Sequence, residues 1–286
     1  MSQDAYSLVL NGTLSLDFSH RCKWKITGQD RVRYLNGQTT ADISRLSVGQ
    51  SLWTAVPNPK GKLIGDLHIA AAADAFYVDL EPGLADTLLQ RLSKYIISDD
   101  VLIEDLSQSW SLVHTLTPAS GDFCFASKRL GLSAYDLWLP AGASLPPLNT
   151  DSSVTETLRI EHGLPRWGVD MNENNLVPEL PFEAFSGLSY SKGCYIGQEV
   201  IARIKSIGHV NRKLCLLHSP STPIHPPTLP GTILKGEKII GQVTSYHPSP
   251  KHGGSCALAM IQRDSAMPGQ NHSWHDLNWT VLSPNL

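Results

Sequence analysis

The most informative stretch of this sequence is KGCYIGQEVIAR, which runs from Lys192 to Arg203. Gly193 relieves the backbone at a tight turn, and the apolar residues that follow have the spacing of an amphipathic helix. This pattern predicts that Cys194 lies in the first turn of that helix, where unpaired amide N–H groups and the helix dipole favour an anion. Because the neighbouring Lys192 adds a positive charge, we predict a reactive thiolate at Cys194.

Cys194 has a second interpretation, because most free cysteines are small buried residues of a core. The residues of the stretch leave both interpretations open. The other cysteines are far apart and form no Cys-x-x-Cys pair and no Cys/His zinc spacing. They are Cys22, Cys124, Cys215 and Cys256. We therefore expect reduced thiols and no complete metal site from this chain alone.

The composition is that of a globular protein, with 286 residues, 41% apolar and 17% charged. Apolar runs such as 69–73 are far shorter than the roughly 20 residues that span a bilayer, and the first residues lack the basic segment of a secretory signal. We expect a cytoplasmic protein with no membrane partner.

The net charge of −3 gives no general affinity for nucleic acid, and we interpret the basic run over 203–213 as a solvated face. We therefore do not expect direct nucleic-acid binding.

The order of predicted elements is typical of an α+β protein. Alternating apolar positions on either side of Asn11-Gly12 predict a β-hairpin. Leucines at helical spacing predict an amphipathic helix over 83–97. From Arg212 onward, short strands separated by Pro/Gly turns predict a small β-barrel or sandwich. We therefore predict a body over 1–211 and a C-terminal barrel over 212–286.

Four segments resemble, in the same order, the blocks of the YgfZ family. Residues 192–199 match its KGCYxGQE signature almost letter for letter. Residues 35–43 (LNGQTTADI) resemble its N-terminal NGQvTnD block, and 59–62 (PKGK) resemble its pkGk turn. Residues 159–165 (RIEHGLP) resemble its RIeaGiP segment, which the glycine-cleavage aminomethyltransferases share as RLEAG. The resemblance to both families continues into the predicted barrel at 241–245, so it covers most of the chain.

The resemblance implies an aminomethyltransferase-like cloverleaf. It has an α+β folate-binding body of two subdomains around a central hole, followed by a C-terminal β-barrel. The implied ligand is tetrahydrofolate or a one-carbon derivative, with no stable metal of the protein's own. The resemblance also implies an accessory role in the assembly, repair or maintenance of iron–sulfur proteins, indirectly supporting tRNA modification. Iron–sulfur client or assembly proteins would be the partners, and Cys194 would be the functional thiol.

Glu161 is the first residue that we assign to folate binding. It lies on one helix face with Val154 and Leu158, and a carboxylate on an apolar stripe must be paired, protonated or bound to a ligand donor. The resemblance implies contact with the folate, and the alternative is a pair with Arg159 or another internal base. The other residues assigned to folate binding are Asp66, Lys192, Tyr195, Gln198, Glu199 and Arg203.

The alternative function is tetrahydrofolate-dependent one-carbon transfer of the aminomethyltransferase kind. In that enzyme, the first of two adjacent acids in the strand after the glycine turn is tied to catalysis. The resemblance aligns Gly65 with the first acid and Asp66 with the second. A glycine cannot take or give a proton, so this alignment predicts that the transferase chemistry is lost. A shift of one residue would restore the acid, which keeps Asp66 as a candidate.

Overall fold

The computed structural model describes residues 3–225 and 227–282. Within them the α-helices are α1 (Gln3–Leu10), α2 (Arg31–Gln38), α3 (Ala85–Ser93), α4 (Ser152–Glu161) and α5 (Gln198–Ser206). The strands are β1 (Ser15–Asp17), β2 (Cys22–Thr27), β3 (Ser51–Pro57), β4 (Leu63–Ala71), β5 (Phe76–Leu80), β6 (Leu102–Asp105), β7 (Trp110–Thr115), β8 (Cys124–Ser127), β9 (Ala134–Pro140), β10 (Leu148–Asn149), β11 (Arg212–Ser219), β12 (Gly231–Lys235), β13 (Lys238–Pro248), β14 (Ser255–Gln262), β15 (Asn271–Trp274) and β16 (Leu277–Val281). Short 3-10 helices lie at Ile43–Arg45, Pro82–Leu84, Val177–Glu179 and Arg263–Ser265.

The strands form two open sheets and one barrel. The first sheet has the order β3-β4-β5-β2-β6, and the second has the order β10-β1-β7-β9-β8. The barrel closes in the order β11-β14-β13-β12-β15-β16, because β16 pairs back onto β11. The predicted α+β class with a C-terminal β-barrel is confirmed. The division of the chain at residue 211 stays a prediction, although the first barrel strand begins at Arg212.

Four apolar clusters hold these layers together. One lies under the first sheet, where Leu84, Leu88 and Leu92 recur every four residues and pack α3 onto the strands. A second lies under the second sheet, and a third fills the barrel. The fourth joins the first sheet to α4, α5 and the barrel, because it contains Trp53 of β3, Ile160 of α4, Ile201 of α5 and apolar residues of the barrel. Each fully buried apolar side chain of this kind contributes about 1.5–3 kcal/mol.

The first element is a helix, so the predicted hairpin around Asn11-Gly12 is wrong. Tyr6 and Val9, three residues apart, are both buried on one face of α1. Gly12 has φ 79°, the left-handed backbone that ends a helix as readily as it turns a hairpin. The strand that follows, β1, pairs with β7 and β10. Within the described part of the chain, no helix has the length and apolar character needed to cross a membrane.

Candidate functional site

A cavity of about 600 Å³ lies where the first sheet, the second sheet and α4 meet. This volume is in the usual range for small-molecule sites. The first sheet contributes polar side chains to the wall, and α4 contributes Glu156 and Arg159. The wall residues that lie in the first sheet, or directly before or after one of its strands, are Arg21, Trp53, Asp66, His68 and Glu81. The remaining wall includes Phe18 and Trp167, so flat apolar surfaces face charged groups across the cavity.

Strand alternation decides which residues of β4 face this cavity. Asp66 and His68, two residues apart, both line it. Gly65 faces the other way, because a Cβ atom there would lie 2.9 Å from Leu88 Cδ1 and 3.0 Å from Leu84 Cδ1. An acid at position 65 would therefore point into the apolar core under α3. The glycine at position 65 thus does not remove an acid from the cavity, which corrects our inference from the aligned acid pair.

Asp66 is a buried carboxylate with one satisfied and one unsatisfied oxygen. Its Oδ2 accepts a hydrogen bond of 2.7 Å from Trp53 Nε1. Its Oδ1 is buried and has no hydrogen-bond partner among the described residues. Burial raises the pKa of Asp66 to about 6, although the nearby Arg21 charge and the Trp53 hydrogen bond partly oppose that rise. A free carboxylate oxygen with such a pKa is suited to bind an N–H donor or to exchange a proton near neutrality.

Arg21 supplies a complementary unsatisfied donor. Its Nε donates to Asp79, and its Nη1 donates to Glu81 Oε1 at 2.6 Å. Its Nη2 is buried and has no partner within the described part of the chain. Buried polar atoms are nearly always hydrogen-bonded in native proteins. A cavity lined by Arg21 and Asp66, which each carry one such atom, is therefore suited to a ligand with an acceptor and a donor.

A buried ion network holds Arg21 in place. Arg129 donates to Asp79 at 2.9 and 2.6 Å and also to Asp136, which pairs with His114 at 2.7 Å. Although burial alone would raise the pKa of Asp79, Arg129 and Arg21 hold it at about 2. Asp79 therefore stays ionised across the physiological pH range, and it holds the guanidinium of Arg21 in place.

A second cavity of about 1240 Å³ adjoins the first. The two share Trp53, His68, Arg129 and Leu164 in their walls. Burial, followed by the charge of Arg129, lowers the pKa of His68 well below its usual range. The imidazole is therefore neutral at pH 7, and it lies at the junction between the two cavities.

Glu161 is not part of either cavity wall. Its Oε2 accepts from Tyr6 Oη at 2.6 Å, and its Oε1 accepts from Ser249 Oγ at 2.6 Å and from the amide of Lys251 at 3.0 Å. This carboxylate joins α1 and the β13–β14 loop to the end of α4. The structure thus gives Glu161 partners other than Arg159, and its role in folate binding stays a prediction.

Lys192 is buried away from both cavities. Its ammonium donates to the carbonyls of Asn36, Thr39 and Ala41 at 2.7, 2.7 and 2.5 Å. Burial lowers the pKa of Lys192 to about 7. These carbonyls belong to the end of α2 and the loop after it, so Lys192 ties the KGCYIGQE stretch to the NGQTTAD segment.

Cys194 is exposed, but it does not lie in a helix. Helix α5 begins four residues later at Gln198, after Gly197 with φ 82°. The ammonium of Lys192 points inward to its carbonyl partners. Both reasons that we gave for an easily formed thiolate are therefore wrong, because Cys194 precedes the helix and Lys192 is already fully engaged. What remains is the exposure of the thiol.

The other predicted ligand-binding residues of the stretch also lie outside both cavity walls. Tyr195 is buried, and its hydroxyl has no partner among the described residues. Gln198 is half-buried, whereas Glu199 and Arg203 are exposed on α5. Their roles in ligand binding stay predictions. We assigned eight residues to the functional site from the sequence. Of these, Asp66 lines the 600 Å³ cavity.

Among the residues of the cavity wall that the sequence did not reveal are Arg21, Trp53 and His68. Two of them carried a detectable signal. Strands β3 and β4 pair antiparallel across the turn near Gly61, which places Trp53 directly opposite His68 and next to Asp66 on the same face. Counting back from that turn would have found both residues. Arg21 precedes β2, and no local pattern marks it.

Comparison with known proteins supports the fold. The sequence profile of the GCVT N-terminal domain matches residues 3–125. The chain is 31% identical over 222 residues to "tRNA-modifying protein YgfZ" of Enterobacter sp. (strain 638), covering 67% of this chain and 68% of that protein. It is 26% identical over 300 residues to "Putative transferase At1g60990, chloroplastic" of Arabidopsis thaliana, covering 91% and 67% of the two chains.

The fold also matches a solved structure. Glycine cleavage system aminomethyltransferase T from Bartonella henselae superposes with a TM-score of 0.79 at 19% identity, covering 99% of this chain and 89% of that one. The predicted aminomethyltransferase-like fold is therefore confirmed.

Proposed function

This chain belongs to the YgfZ family, and from that premise we propose that its 600 Å³ cavity binds a reduced folate. The observation that carries the proposal is that two residues of the cavity wall, Asp66 and Arg21, each carry a buried polar atom, Oδ1 and Nη2, without a partner among the described residues. A pterin ring carries N–H donors beside a carbonyl acceptor, which is the pattern that this pair complements. The carboxylate would accept from the ring, and the guanidinium would donate to its carbonyl.

The rest of the wall suits the same ligand. Trp53, Trp167 and Phe18 offer flat apolar surfaces on which a heteroaromatic ring can lie. Glu156 and Arg159 of α4 pair with each other at 2.6 Å, so they close this side of the cavity without an unbalanced charge. These features suit the neutral pterin ring of a folate, with its polar edges, in this part of the cavity.

The direct test is a calorimetric titration of the purified protein with tetrahydrofolate. We expect saturable binding at one site per chain. A separate titration with a folate fragment that lacks the pterin ring should give no binding, because the Asp66 and Arg21 contacts would be missing. No heat above dilution with tetrahydrofolate at high protein concentration would refute the folate-binding proposal.

The family resemblance further supports an accessory role in the upkeep of iron–sulfur proteins. The exposed thiol of Cys194 is the group that this role would use toward a client or assembly protein. The test is the activity of iron–sulfur enzymes in cells that carry Cys194→Ala, with Cys124→Ala as the control. Full activity with Cys194→Ala would remove Cys194 from the proposal and leave folate binding.

The alternative function is one-carbon transfer, and the position of Asp66 in the cavity wall is the observation that favours it. An acid with a pKa of about 6 faces the cavity, so the main objection from Gly65 no longer applies. The assay supplies tetrahydrofolate and the aminomethyl-lipoyl carrier protein of glycine cleavage. Ammonia and methylenetetrahydrofolate above background, lost in Asp66→Asn, would make transfer the function. Folate binding without those products supports the accessory role.

A further inference from the structure

We infer that Trp53 is a positioning residue for Asp66, because its indole N–H holds one carboxylate oxygen and leaves the other free for a ligand. This inference deepens the proposed function and rests on it for its biological meaning. The hydrogen bond between Trp53 and Asp66 exists in the ligand-free protein, so its effect on Asp66 can be tested without any ligand.

The geometry of the two strands creates this contact. Trp53 lies opposite His68 in the β3–β4 ladder, and Ala55 lies opposite Asp66. Trp53 and Asp66 are thus diagonal neighbours on one face, within reach of a long aromatic side chain. The resulting hydrogen bond from Trp53 Nε1 to Asp66 Oδ2 measures 2.7 Å.

The Trp53 ring is itself held in position. It stacks on Phe182 with the ring centroids 3.9 Å apart and an interplanar angle of 27°. The edge of Phe185 lies against it, with the centroids 6.2 Å apart. The side chain of Trp53 is buried although it lines both cavities. An indole held in this way has little freedom to leave the carboxylate, so Asp66 Oδ1 stays the oxygen without a protein partner among the described residues.

The hydrogen bond also has a defined electrostatic effect. Among the charged groups near Asp66, Arg21 lowers its pKa, while Glu81 and Asp79 raise it. His68, on the same strand face, is neutral at pH 7. A donor to the carboxylate favours the charged form, so Trp53 lowers the pKa of Asp66. Removing the N–H group should raise that pKa, and protonation of Asp66 should then begin at a higher pH.

The test is a titration of Asp66 by NMR on protein labelled with ¹³C at the aspartate carboxyl groups, with Asp66→Asn to assign the signal. In Trp53→Phe we expect the Asp66 midpoint to rise by roughly 0.5–1 pH unit. Trp167→Phe is the matched control, because Trp167 lines the same cavity and does not donate to Asp66 within the described residues. That control should leave the midpoint unchanged.

A second variant separates loss of the donor from loss of ring packing. Incorporation of benzothienylalanine at position 53 keeps a bicyclic ring and replaces the N–H group with sulfur. It should raise the Asp66 midpoint as Trp53→Phe does. An unchanged midpoint in this variant would overturn the inference. Because the titration uses the ligand-free protein, a raised midpoint in a protein that binds no folate would uphold the positioning role and refute the proposed function separately.

Discussion

Asp66 and Glu161 are both buried carboxylates, but their surroundings differ. Glu161 accepts from three protein donors, one of them the hydroxyl of Tyr6. Asp66 accepts from Trp53 with one oxygen and leaves the other without a partner among the described residues. A fully satisfied carboxylate contributes to stability, whereas an unsatisfied one in a cavity wall costs stability and is retained where a ligand needs it.

Glu161→Gln should therefore destabilise the fold without weakening folate binding. The introduced side-chain amide would turn its NH₂ group toward donors that now bond to a carboxylate oxygen, and we expect a loss of about 1–3 kcal/mol in the free energy of unfolding. Urea denaturation and calorimetry on the folded variant measure the two effects. A large loss of folate affinity with unchanged stability would place Glu161 in the folate site after all.

The five thiols should react in the order of their exposure. Cys194 is exposed, so alkylation at neutral pH should reach it first. Cys22 and Cys124 are partly buried and should follow. Cys215 and Cys256 are buried, and burial raises the pKa of each to about 12, so they should react last. Mass spectrometry of timed alkylation gives the order. Labelling of Cys215 before Cys194 would contradict this burial pattern.

At the scale of elements, three motif segments contact one another: 35–43, the turn at 59–62 and 192–199. Lys192 donates to carbonyls at the end of α2 and just after it, and the amide of Ile196 donates to the carbonyl of Gly37 at 3.1 Å. The turn before β4 lies against the same stretch, because a Cβ atom on Gly197 would clash with the carbonyl oxygen of Asn58. Position 197 therefore requires glycine for both its φ angle and this close approach.

Lys192→Met should weaken this junction. The variant keeps the length of the side chain but leaves three buried carbonyl oxygens without their shared donor, so we expect a loss of roughly 2–4 kcal/mol in the free energy of unfolding. Lys213→Met, at an exposed position, is the matched control and should change stability by less than about 0.5 kcal/mol. Urea denaturation of both variants decides the result. Equal stability of Lys192→Met and the parent would rule out an anchoring role.

The elements that the sequence could predict were those with strong patterns. Strands separated by Pro/Gly turns predicted the barrel from Arg212, and leucine spacing predicted the helix that became α3. The dipeptide Asn11-Gly12 led to the wrong prediction of a hairpin, because the same dipeptide also occurs at the end of a helix such as α1. The start of α5 was placed four residues too early, because Gly193 and Gly197 offer equal turn signals and tertiary packing decides between them.

At the scale of the whole molecule, the cavity could not be predicted from spacing. Its wall combines Arg21, which precedes β2, with Asp66 of β4 and residues of α4 and the second sheet. Only the packing of the two sheets against α4 and the barrel brings these groups together. The most specific motif, at 192–199, instead forms the junction between segments. Family resemblance therefore indicated the fold, whereas the geometry indicated which acid faces the cavity.

The central claim is that Asp66 of this cavity binds the folate. Its most direct test is the tetrahydrofolate affinity of Asp66→Asn against Asp74→Asn, the latter a matched change at an exposed loop position. Loss of a charge-assisted hydrogen bond should weaken binding in Asp66→Asn roughly 10- to 100-fold, while Asp74→Asn binds as the parent does. Equal affinity of the two folded variants for tetrahydrofolate would contradict the claim.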